Sequence, residues 1–159
     1  MIAPALLALA WLGAAGNPPP EEPSSEEASI IMDVSADKKT CNARTARRVK
    51  FSDLASGSGD LSGRCVRVSG YLYRRALFAA NADTQLRYAE STAKLEGRRV
   101  GLYGLSRASP SGQPVPGFYR VVGRVGNCEN LAAGSLMVMG YCHYTSGPYL
   151  ALSEVRPVR

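Results

Sequence analysis

The segment Arg64-Cys65-Val66-Arg67-Val68-Ser69-Gly70-Tyr71-Leu72-Tyr73 alternates between apolar and polar side chains. Successive side chains of a strand point to opposite faces, so Val66, Val68 and Leu72 fall on one face and Arg67, Ser69, Tyr71 and Tyr73 on the other. This is the pattern of a strand half-buried against a core. Glycines recur inside this and other strand-like stretches, at Gly70, Gly101, Gly123 and Gly140. Each would weaken a flat sheet, whereas a strongly bent one needs residues without Cβ at its bulges and corners. The expected fold is therefore mainly β, a small five-stranded closed barrel with one or two short helices.

The rest of the chain fills in that outline. Residues 76–79 continue or pair with the first strand before Asn81-Ala82-Asp83 turns the chain. Residues 86–95 have helical composition, with Leu86, Ala89 and Ala93 on one side, and stop at Gly97. Residues 99–104 form the next strand, and residues 106–117, with Pro110, Pro114 and Pro116, a long surface loop. Residues 118–128 form a fourth strand, Tyr119, Val121 and Val125 facing one way and Arg120 and Arg124 the other. A fifth, at residues 136–144, is expected to turn at Thr145-Ser146-Gly147 and pair as a hairpin with residues 148–155. Ahead of the barrel, residues 51–55 suit one helical turn with Ser52 or Asp53 as N-cap.

The first sixteen residues, MIAPALLALAWLGAAG, form a short apolar run ending in small side chains, as a secretory signal does. The run is too short for the roughly 20 apolar residues of a membrane span. Cleavage is expected after Ala15, although no Lys or Arg precedes the run. The expected organisation is a signal over residues 1–15, an acidic Pro-rich linker over 16–29, a basic lead-in over 30–53 and the barrel over 54–159. Glu21, Glu22, Glu26 and Glu27 all lie in the linker, so the remaining chain sets nineteen Lys and Arg against nine acids. That balance favours an anionic partner, such as an envelope component, an acidic glycan or nucleic acid.

The short helix leading into Gly63-Arg64-Cys65-Val66-Arg67-Val68-Ser69-Gly70-Tyr71-Leu72 resembles the entry to the first strand of small OB-fold domains. Residues 119–125 resemble their fourth strand and residues 149–155 their closing strand. The stretch Met139-Gly140-Tyr141-Cys142-His143-Tyr144, with Gly147-Pro148 after it, resembles uncharacterised exported bacterial proteins. The resemblance implies a fold and a compartment, periplasmic or secreted, with no catalytic residues to carry over.

Four cysteines in an exported chain point to disulfides. Cys41, Cys65, Cys128 and Cys142 allow three pairings. The short connection between the strands expected to carry Cys128 and Cys142 favours that pair, leaving Cys41 with Cys65. No two of them sit at the close spacing of zinc ligands, so no metal or other cofactor is expected. His143 is the only histidine, and no nucleophile elbow, phosphate loop or HExxH motif occurs. The expected function is accordingly non-catalytic binding of an unknown ligand, an anionic envelope component or a protein, through an outward face carrying Arg67, Tyr71, Tyr73, Arg74, Tyr103, Phe118, Arg120 and Arg124. Arginines interleaved with aromatics on such a sheet also suit single-stranded nucleic acid, the less favoured partner for an exported domain.

Overall fold

The computed structural model describes residues 30–31, 33–57, 60–85, 95–109, 112, 114–132 and 137–158. Its strands are β1 (Ile30–Ile31), β2 (Arg47–Arg48), β3 (Cys65–Tyr73), β4 (Ala76–Phe78), β5 (Arg99–Tyr103), β6 (Gly117–Asn127), β7 (Met137–Val138) and β8 (Pro148–Pro157). Short helices are α1 (Phe51–Ala55), α2 (Leu105–Ala108), α3 (Cys128–Ala132) and α4 (Tyr141–Tyr144). No helix among the described residues is long and apolar enough to cross a membrane.

Five strands close the barrel in the order β3–β4–β5–β8–β6, with β6 returning to β3. All neighbours are antiparallel except β5 and β8, which run parallel. β3 has the alternation its sequence demands: every even position from Val66 to Leu72 is buried and the odd positions are half-exposed. The interior is filled by Val66, Val68, Leu72, Leu77, Val100, Leu102, Val121, Leu150 and Leu152, each at most 3% exposed. A register shift at Val122/Gly123 makes Ser153 an extra residue on β8, and its buried hydroxyl donates to the Val122 carbonyl at 3.2 Å. Such a bulge bends the strand, as barrel closure requires.

A second apolar cluster lies on the outside of the same sheet. Ala76, Phe78, Tyr103, Tyr149 and Ala151 pack there under Tyr141, Val138 and Leu95. Both faces of β4 are consequently buried. The Tyr141 ring lies directly on Gly101, in space that any Cβ at that position would occupy.

Four expectations are corrected. The stretch 136–144 is not a barrel strand: only Met137–Val138 is extended, paired in parallel with β1, and Tyr141–Tyr144 is a helical turn. Tertiary bonds replace the ladder there. The Tyr103 hydroxyl donates to the Met139 carbonyl at 2.8 Å and accepts the Cys142 N–H at 3.0 Å. The expected hairpin with residues 148–155 is therefore absent, and β8 pairs instead with β5 and β6. The surface loop of residues 106–117 begins inside α2, whose Leu105 and Ala108 are buried. The expected helix at 86–95 lies outside the described residues except for Leu95. Ser52 and Asp53 fall inside α1, with Lys50 at its N-cap position.

The disulfides are Cys41–Cys65 and Cys128–Cys142, the favoured pairing. Cys128 and Cys142 meet because α3 and α4 pack together, since neither lies on a strand. The lead-in is held by more than its cysteine. Gly104 N–H donates to Asp33 at 2.7 Å, Ala36 N–H to Leu152 O at 3.2 Å, and Ala43 N–H to Glu154 at 3.0 Å. β2 then adds a sixth strand beside the lower half of β3.

Candidate ligand-binding face

The eight residues expected on one face divide among three places. Arg67 and Arg120 stand on the outward side of β3 and β6, where the cross-strand partners are Arg67 with Val122 and Ser69 with Arg120. Parallel pairing sets Arg48 of β2 beside Arg67. These cations and Lys50 line a groove of about 340 Å³, with Phe51 and Ser69 between them. No carboxylate lines it. On the far side of β6, Arg120 lies directly opposite Arg156 of β8. Glu154 pairs with Arg156 at 3.0 Å and shares an adjoining concavity with Arg67 and Arg120. Within the groove itself the charged lining is entirely cationic, which favours an anionic ligand there.

Tyr71 and Phe118 continue this face as cross-strand partners, with ring centroids 5.0 Å apart. Phe78 is the partner of Tyr71 on the other side, so an aromatic row crosses β6, β3 and β4 and ends at Arg99 of β5. Phe118 is 40% exposed, enough for a flat ligand to rest on it.

Arg124 belongs to a different role. Its guanidinium donates to Gly63 O at 2.6 Å and to the Thr40 hydroxyl at 3.3 Å, which ties the lead-in to the barrel. Tyr73 and Arg74 lie beyond the aromatic row, at the tight β3–β4 turn, where Arg74 has φ 52°. They open onto a separate concavity.

Tyr103 is buried at 3% exposure and lies beneath that concavity, holding α4 in place. Burial raises its pKa, opposed in part by the Cys142 N–H bond, and burial likewise raises that of Tyr149. An unfolded tyrosine ionises near about pH 10. The folded protein holds both protons past that point, so their contribution to stability is complete below about pH 10 and lost as pH rises through the folded values. Urea titrations from pH 9 to 11 should show stability falling above pH 10, and less steeply in Tyr149→Phe. Equal slopes would show that these hydroxyls do not govern the alkaline limit.

Arg48, Lys50, Arg75, Arg99, Arg156 and Tyr141 were not legible as site residues. Arg48 and Lys50 sit in the irregular lead-in, whose pairing to β3 has no periodic signal. Tyr141 sits in a stretch whose apolar composition suggests a strand. The adjacent Arg74-Arg75 pair was the one visible sign of the concavity. His143 is exposed, edge-on to the Tyr144 ring at 4.3 Å, and all four cysteine sulfurs are in disulfides. Compared with known protein families, with curated proteins and with solved structures, the chain matches none.

Proposed function

We propose that this chain is a non-catalytic binding domain that works outside the reducing cytoplasm and engages an anionic envelope component through the Arg48–Lys50–Arg67–Arg120 groove. The observation that carries this reading is the gathering of those four cations in one groove with no carboxylate among the residues lining it. Two disulfides and the signal-like N-terminus support the compartment. The strand order, with β5 and β8 parallel, supports placement among OB-type barrels, which bind extended ligands on an outward face.

A sulfated glycan serves as the test ligand. The protein should be retained on immobilised heparin at low salt and elute as salt rises, since counterion release drives such binding. Arg67→Gln with Arg120→Gln should move elution to markedly lower salt and lower the thermal midpoint by only a few degrees, since the one bond lost, from the half-buried Arg67 guanidinium to the Ala43 carbonyl, is long at 3.5 Å. Free passage of the parent chain at low salt would end this reading. Export is tested separately: intact mass of protein recovered outside the cytoplasm should begin at Gly16, with no free thiol.

The aromatic row favours a second reading, single-stranded nucleic acid. Base stacking on an exposed ring contributes about 1–3 kcal/mol. Phe118→Ala should then weaken oligothymidylate binding at least fivefold and leave heparin retention unchanged. Equal effects on both ligands would reject the nucleic-acid reading.

A further inference from the structure

The concavity at the β3–β4 turn is a second site, distinct from the basic groove. Its floor is the outward side of β3, β4 and β5, where Tyr73 is paired with Ala76, Ala76 with Gly101, and Phe78 with Arg99. Gly101, in the middle of that patch, admits the Tyr141 ring, which closes one side of the concavity. One wall is the segment from Met139 to Thr145, with Tyr141 seated on Gly101. The concavity, open to solvent on one side, has a volume of about 510 Å³, within the range of roughly 300–1,000 Å³ that small-molecule sites occupy.

Its charged lining groups, Arg74, Arg75 and Arg99, are all cationic. The Arg74 guanidinium sits 5.3 Å from the Tyr73 ring centroid and that of Arg99 sits 5.4 Å from Tyr141, while Arg75 lies against Gly140. Among the described residues no carboxylate pairs with any of the three. Asp83, beside the lining residue Thr84, is committed to Arg98 at 2.8 Å and to the Ala80 N–H at 3.2 Å. The wall is also set in advance, because the Cys128–Cys142 bridge and the Tyr103 hydroxyl fix α4. A site already ordered loses little affinity to ordering on binding. Three cations lining one concavity call for an anion, and aromatic walls stack best on a planar body, on which arginine also stacks.

We propose that this pocket binds a small planar aromatic anion, a ring system carrying a phosphate, sulfonate or carboxylate. The site is independent of the groove, since Arg67 and Arg120 do not line it.

Isothermal titration of the full chain separates the two requirements. 2-Naphthyl phosphate should bind at least tenfold more tightly than inorganic phosphate, which lacks the ring, and than 2-naphthol, which lacks the charge. Arg75→Gln and Arg99→Gln should each weaken it at least fivefold, and Lys39→Gln, at an exposed cation outside both sites, should not. Adenosine monophosphate binding more tightly than 2-naphthyl phosphate would support the site and identify nucleotides as its source of aromatic anions; weaker binding would support it with free aromatic acids as the source. Absence of heat at millimolar ligand, equal binding of 2-naphthol, or indifference to both arginine changes overturns the proposal. None of these results bears on heparin retention, so the two sites fail or stand separately.

Discussion

Replacing Cys41 and Cys65 together by alanine is expected to lower stability by about 3 kcal/mol, the chain-entropy value for a loop closed over 24 residues. Cys41 is fully buried, and alanine leaves no unsatisfied hydroxyl in its place. The functional effect should be local. The bridge fastens the lead-in to the first residue of β3, and that lead-in delivers Arg48 and Lys50 to the groove. Urea unfolding should therefore report the lost stability, while heparin elution shifts toward that of the Arg67→Gln/Arg120→Gln protein. Retention unchanged from the parent would show that β2 holds its place without the bridge.

Gly123→Ala is expected to cost about 3 kcal/mol, the upper part of the usual range for forcing atoms into a packed interior. A Cβ there would stand 2.6 Å from the Ala151 carbonyl oxygen and 3.1 Å from its carbon. These are backbone atoms of β8 beside the bulge, so no side-chain rotation can make room. Relief requires β6 and β8 to separate, and these strands share the longest pairing in the barrel. Gly117→Ala is the matched control, because its added methyl would meet the Tyr119 ring edge at 3.3 Å and the Val115 carbonyl oxygen at an ordinary 4.0 Å. Thermal melts should place Gly117→Ala within a few degrees of the parent and Gly123→Ala well below it. Similar midpoints for the two would mean that β6 and β8 can part at little cost.

The barrel was legible because its strands obey local rules. On β3 and β6 the inward residues are apolar at every second position, and the mid-strand glycines mark where the sheet bends. The cysteine pairing was also anticipated, although Cys128 and Cys142 meet through helical turns and not through neighbouring strands. The candidate site was legible only in part. Arg67, Arg120, Tyr71 and Phe118 share a face because period two places them there. Arg124 has the same alternation, yet its guanidinium is taken up by Gly63 and Thr40, a destination set by how the lead-in folds back. Tyr103 lies on an outward face that other elements cover, so alternation could not reveal that it is buried.

What the sequence by itself determined is the half-buried alternation of the strands, the bends at their glycines, and the excess of cations beyond the acidic linker. All three are local or compositional, because side-chain period and net charge do not depend on which segment meets which. Only the tertiary structure decided that residues 141–144 form a helical turn, that the lead-in supplies a strand and two groove cations, and that the outer face of β4 and β5 becomes a pocket floor. Each of these rests on partners distant in the chain: Tyr103 with Met139 and Cys142, Arg48 with Arg67, Tyr141 on Gly101. The bonds and contact surface gained across those distances outweigh weak local preference in short segments, which is why the strand-like composition of residues 136–144 did not prevail.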